Sequence, residues 1–215
     1  LNPAQKKAGV VALSTGNHGR GLAFAAKLMN IRCIICMSKL VPSNKIEGIK
    51  ALGAEVRLIG ANQDEAQLEA DRLSIEEGMT YISPFDNIDV IAGQGTLGLE
   101  IHQQIPELSF AFVPLSGGGL ICGVAKALKG LNQNLKVIGV SMDRGAAMYE
   151  SQKAGKPIFV KEEESLADAL TGGIGLENKY TFQLTKQLVD EIVLVSEKEI
   201  ADGIHYAYWH ESQIV

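Results

Sequence analysis

Six short runs, Val10 to Leu13, Ile31 to Met37, Glu55 to Ile59, Phe110 to Leu115, Lys136 to Val140 and Ile192 to Val195, have the length and apolar character of buried strands, and helix-like stretches separate them. A strand that leads into a helix and then into another strand rejoins its own sheet by a crossover, which makes the strands parallel. Parallel sheets carry helices on both faces, so the rhythm predicts an α/β fold. Ligands of such sheets bind beyond the carboxyl ends of the strands, where the chain turns into the next helix. The turns after the strands are therefore where chemistry is to be sought.

Two of these turns stand out. Ser116-Gly117-Gly118-Gly119-Leu120 joins the run ending at Leu115 to a helix-like run, Ile121 to Leu128. Glycines let a backbone approach an anion without a Cβ in the way, and the amides opening the next helix face it with the positive end of the dipole. A phosphorylated ligand is the first inference, although a glycine cluster between strand and helix is also an ordinary tight turn. The second turn, Ser14 to Arg20, follows Val10 to Leu13 and opens an amphipathic stretch, Gly21 to Met29. Ser14, Thr15 or Asn17 would each serve as an N-cap. Capping uses one such residue, whereas seven consecutive polar or glycine positions exceed that need. The two turns can converge on one cleft.

Composition narrows the class. With 215 residues, 46% hydrophobic and 21% charged, the chain can bury the core of one large or two modest domains. No stretch has the length and apolar character of a membrane span or resembles a signal peptide, so the expected location is the cytoplasm. A formal charge of -5, with no Lys/Arg cluster interleaved with aromatics, argues against nucleic acid as a partner. Cys33 and Cys36 form a C-x-x-C spacing, but within a strand positions three apart face opposite sides, so both are expected to be buried structural thiols, as is Cys122. His205 and His210 are five apart and do not stack on one helix face. Lys153 to Ser165, with Pro157 and the run Glu162 to Glu164, reads as a solvated acidic loop.

Taken in order, Ser14-Thr15-Gly16-Asn17-His18-Gly19, Asn87 to Thr96 and Ser116 to Leu120 resemble the threonine dehydratase and serine racemase group of pyridoxal-phosphate enzymes of fold type II, the tryptophan synthase β-like architecture. Pro84-Phe85-Asp86, before the second motif, looks more like a dehydratase than a racemase. Ala167 to Gly175 and Leu188 to Ser196 are similar to dehydratases of hydroxyectoine utilisation.

The resemblance implies two parallel-sheet domains, a small one over residues 13–83 and a large one made from 1–12 and 84–215, with the cofactor cleft between them. It implies a dehydratase, or ammonia-lyase, that removes the α-proton of a β-hydroxy amino acid and eliminates the β-hydroxyl, giving an oxo acid and ammonia. Pyridoxal 5'-phosphate would be held by Ser116, Gly117, Gly118, Gly119 and Leu120 at its phosphate and by Asn17 at its ring hydroxyl. Ser14, Thr15 and His18 would meet the substrate carboxylate. Thr15 also matches the position of the racemases' second proton-handling hydroxyl, which keeps a racemase of the same fold open as an alternative. A homodimer or higher homo-oligomer is expected.

Some positions depart from the group. The family's Schiff-base lysine is expected upstream of Leu1 and a second glycine-rich segment beyond Val215, so the chain reads as a fragment, and a non-catalytic cofactor-binding module is a further alternative. Lys6 and Lys7 lie outside any matching lysine motif. Ser141 stands where the racemase-type cation site has an acidic residue, and Gly145 and Ala147 stand near its other ligands, so no metal is expected. Ala169 falls at the position of a backbone glycine beside the ring. A cysteine synthase-like β-replacement enzyme would carry threonines where Gly119 and His18 stand, and a nicotinamide fingerprint does not fit Gly16 to Gly19.

Overall fold

Strand β1 (Val10–Leu13) runs parallel between β2 (Cys33–Met37) and β4 (Thr80–Tyr81), and β3 (Glu55–Leu58) completes a sheet in the order β3-β2-β1-β4. Val10 stands opposite Cys33 on one side and Thr80 on the other. Helices α1 (Pro3–Ala8), α2 (Asn17–Leu28), α3 (Ser43–Lys50) and α4 (Gln63–Glu76) belong to the same body. The computed structural model describes residues 1–14, 16–61 and 63–215, which form two compact units, Leu1–Pro84 and Phe85–Val215.

Period-two alternation builds two core layers in the first unit. Val10, Ala12, Cys33, Ile35 and Met37 pack with Ala23 and Ala26 of α2 and Ile49 of α3. Val11, Ile34 and Cys36 face the other way, onto Ala66, Ala70 and Leu73 of α4. The two cysteines of the C-x-x-C spacing thus lie in opposite layers, as the strand geometry predicts.

The second unit has a parallel three-stranded sheet of β5 (Phe110–Pro114), β6 (Lys136–Met142) and β7 (Glu191–Val195), in that order. Its helices are α5 (Ile88–Gln104), α6 (Gly119–Leu131), α7 (Ala147–Ala154), α8 (Thr181–Leu188) and α9 (Glu197–Glu211), with a 3-10 turn at Asp168–Leu170. Ala111 and Val113 point into a core shared with Ile121, Val124 and Leu128 of α6 and Phe182 of α8. Their strand neighbours Phe110 and Phe112 are 55% and 67% exposed on the opposite face.

Glycines let α5 and α6 approach at backbone distance. A Cβ on Gly123 would stand 2.2 Å from the Ile91 carbonyl oxygen, and one on Gly98 would stand 2.9 Å from that of Val124. The second of the three sequence motifs therefore packs along the helix that the glycine loop opens.

All six expected strands form, and every pairing is parallel. A seventh, Thr80–Tyr81, is too short to leave an apolar run in the sequence. Residues 1–12, which the resemblance assigned to the large domain, cluster with the first unit because β1 is hydrogen-bonded between β2 and β4. No helix among the described residues is long and apolar enough to cross a membrane.

Candidate functional site

The expected site residues fall into two groups, one in each unit. In the first unit the chain leaves β1 toward β2 on one side, while β4 returns to the other side, so the carboxyl end of β1 is a topological switch point. Ser14 lies there, buried, and its Oγ accepts the Gly19 amide at 2.9 Å and the Gly16 amide at 3.3 Å. Asn17 opens α2 and is exposed. Thr15 lies outside the described residues.

His18, on the first turn of α2, is half-buried with Nε2 at 3.1 Å from the Ile82 carbonyl oxygen. A carbonyl only accepts, so Nε2 carries the proton and Nδ1 is the free nitrogen. Burial lowers the His18 pKa below its ordinary value, against the opposing effect of the Ile82 bond. Neutral His18 thus has no N–H left to offer a carboxylate, and its fixed contact is to the end of the sheet.

In the second unit Ser116 to Leu120 follows β5 and opens α6, with Ser116 and Leu120 half-buried and the three glycines between them buried. Gly118 has φ +92°, a left-handed conformation that favours glycine. The first helical bond of α6 runs from the Cys122 amide to the Gly118 carbonyl at 3.0 Å. The amides before Cys122 are therefore the ones a helix leaves without an intrahelical acceptor.

The loop is pressed against protein on its inner side. A Cβ on Gly117 would come within 2.3 Å of the Phe85 ring, and one on Gly119 within 2.8 Å of the Phe85 Cα. On Gly118 it would meet Met148 Cε and Thr181 Cβ at 3.0 Å and Thr185 Oγ1 at 3.2 Å. Only glycine fits at this depth. A run of helix-opening amides with a serine hydroxyl at its start is a donor set suited to a phosphate dianion. On that geometry and chemistry the loop fits the phosphate of pyridoxal phosphate.

Phe85 and Asp86 are the residues whose role at the loop the sequence did not reveal. The Asp86 carboxylate accepts the amides of Lys179 at 2.6 Å, Tyr180 at 2.8 Å and Thr181 at 3.0 Å, at the start of α8. These partners lie more than ninety residues away in the chain, beyond any local pattern. Cys122, on α6, places Sγ 3.4 Å from Thr185 Oγ1 and 3.6 Å from the Thr181 carbonyl oxygen, joining α6 to α8. Ser141 is buried in β6, and Ala169 lies in the 3-10 turn. No group of three or more His, Cys, Asp or Glu that could hold a metal ion occurs among the described residues.

Known proteins resemble this chain in sequence and in fold. The chain is 54% identical over its whole length to a Sinorhizobium fredii protein provisionally named as a threonine dehydratase, of which it covers 65%. Among solved structures, maize serine racemase superposes with a TM-score of 0.93 at 32% identity, covering 99% of this chain and 64% of that one. The processed form of threonine deaminase isoform 2 from Solanum lycopersicum gives 0.92 at 37% identity, covering 100% of this chain and 62% of that one. The chain thus spans somewhat less than two thirds of the length of each of these relatives. The family profile described as pyridoxal-phosphate dependent enzyme matches residues 1–215. With a fold type II architecture and a glycine loop fitted to a phosphate, the chain belongs to the pyridoxal-phosphate-dependent enzyme family.

Proposed function

We propose that the protein containing this chain is a dehydratase, or ammonia-lyase, that converts a β-hydroxy amino acid to an oxo acid and ammonia. The observation that carries the reading is the buried loop Ser116 to Leu120 at the start of α6, in a chain that resembles threonine dehydratases along its whole length. When bound, pyridoxal phosphate supplies the electron sink that acidifies the α-proton.

The residues of this chain bind and orient. Amides of Gly118, Gly119 and Leu120 and the Ser116 hydroxyl hold the phosphate, and Asn17 meets the ring hydroxyl. The substrate carboxylate is received in the turn of Ser14, Thr15 and His18. There Ser14, already accepting two amides, has its hydroxyl hydrogen to donate, and His18 acts by fixing the turn to Ile82. The likeness of residues 167–175 and 188–196 to hydroxyectoine-utilisation dehydratases supports including amino acids derived from hydroxyectoine among the substrates to be tested. A racemase is the second reading, favoured by the maize serine racemase superposition.

The test is the full-length enzyme assayed for ammonia and oxo acid from serine, threonine and hydroxyectoine-derived amino acids, with chiral separation of the remaining serine. Release of oxo acid is the expected result, and D-serine formation without it would replace this reading by the second. Gly118→Asp sets a carboxylate against the phosphate and should weaken cofactor binding by more than about tenfold. Unchanged affinity on titration would remove the phosphate loop from the site.

A further inference from the structure

We infer that Asp86 is a positioning residue for the glycine loop, tying together the two walls on which Ser116 to Leu120 rests; the inference depends on reading that loop as a phosphate site. One wall is Phe85, whose ring lies against Gly117 and whose backbone lies against Gly119. The other is made by Thr181 and Thr185 of α8, with Met148 of α7, against Gly118. At added-Cβ distances of 2.3 to 3.2 Å, the loop backbone sits in contact with both walls, so a shift of either displaces it.

The walls come from distant parts of the chain, and Asp86 joins them. It adjoins Phe85 in sequence, and its carboxylate binds the entrance to α8, with Lys179 on Oδ2 and both Tyr180 and Thr181 on Oδ1. Thr181 is therefore held by Asp86 through its amide while its Cβ faces Gly118. The circuit closes from Gly117 and Gly119 through Phe85, Asp86 and Thr181 back to Gly118. A carboxylate on helix-opening amides makes charge-assisted bonds, the stronger kind. The amides that open α8 thus have an anion from within the protein, while those that open α6 are held in place for one from outside. Donors fixed before the ligand arrives bind it without a reorganisation penalty.

A role confined to capping α8 makes a different forecast. Asn178 also caps that helix, its Oδ1 accepting the Phe182 amide at 2.8 Å and its Nδ2 donating to Thr181 Oγ1 at 2.8 Å, so it touches one wall but does not join it to Phe85. In the full-length enzyme, Asp86→Asn retains size and one carbonyl oxygen while turning an amide N–H toward a backbone N–H. The measurements are the dissociation constant of pyridoxal phosphate, its competition by inorganic phosphate, and the phosphorus-31 resonance of the bound cofactor at saturation. Asp86→Asn should weaken cofactor and inorganic phosphate about tenfold, or ~1.4 kcal/mol, and shift the resonance. Asn178→Ala, which loosens one wall and leaves its tie to Phe85, should lower the melting temperature and move the resonance less than Asp86→Asn does.

If Asp86→Asn does not fold, Asp86→Ser, which keeps an oxygen acceptor, enters the same comparison. Parent-like phosphate affinity and resonance in the Asp86 variant would overturn the inference, as would the same shift in Asn178→Ala. Gly118→Asp with undiminished cofactor affinity would instead overturn the phosphate reading itself, a failure separate from that of Asp86.

Discussion

Cys33, Cys36 and Cys122 show how a reactive residue type is made inert by its surroundings. All three are buried, and burial raises their thiol pKa values to about 11. The thiolate is the reactive form, so at neutral pH almost none is present. Mass-spectrometric labelling of the native full-length protein should find these three thiols slow to react with a disulfide reagent and fast once urea unfolds the chain. Fast native labelling of Cys33 or Cys36 would contradict the placement of β2 between two covered faces. The glycine loop was legible because its composition is its geometry: three glycines in a row announce close approach of something to a backbone. Asp86 was not legible beyond its likeness to dehydratases, because an aspartate before a helix looks the same whether it bonds its own helix or one far along the chain.

Between elements, the absence of side chains can matter as much as their presence. Gly123→Ala places a methyl 2.2 Å from the Ile91 carbonyl oxygen and 2.7 Å from the Gly95 amide nitrogen, both backbone atoms that cannot step aside. The helices must separate, and a loss of about 3 kcal/mol in urea unfolding is expected, with weaker cofactor retention because α6 carries the loop. In the first unit, charge joins the elements. Arg32, Glu55, Arg57, Glu69, Arg72 and Glu77 form a closed circuit of alternating sign across the start of β2, β3 and α4.

Glu69 is the best buried member of that circuit. The bonds from Arg72 and then Arg57 outweigh burial and bring its pKa from the ordinary 4.5 to about 2. A depressed carboxyl contributes stability that is complete above the unfolded value and lost as pH falls through the folded one. Unfolding measured between pH 5 and pH 2.5 should therefore fall less steeply in Glu69→Gln than in the parent, and the variant should be about 1 kcal/mol weaker at pH 7. Equal slopes would remove Glu69 from the acid response. Strands were legible from apolar runs, but this circuit was not, since its charges are spread over 46 positions of sequence and meet only when β3 pairs with β2.

For the molecule as a whole, the two units differ in how completely each sheet is covered. The first has core layers on both faces of its sheet, while the second leaves Phe110 and Phe112 exposed on one face. Residues 1–84 expressed alone should unfold cooperatively in urea, and residues 85–215 alone should bind an apolar fluorescent dye, less so with Phe112→Ser. A non-cooperative transition for the first piece would mean that its two layers do not suffice.

The junction of the units also carries a consequence for chain length. Phe85 lies under the loop, Asp86 holds α8, and the Asn87 side chain caps α5 by accepting the amides of Asp89 at 2.9 Å and Val90 at 3.2 Å. Three successive residues thus have three different clients. Replacing one of them disturbs one contact, but inserting or deleting a single residue between Phe85 and Ile88 puts at least one of them out of step with the others. The stretch is a ruler, and its spacing is held more tightly than its spelling.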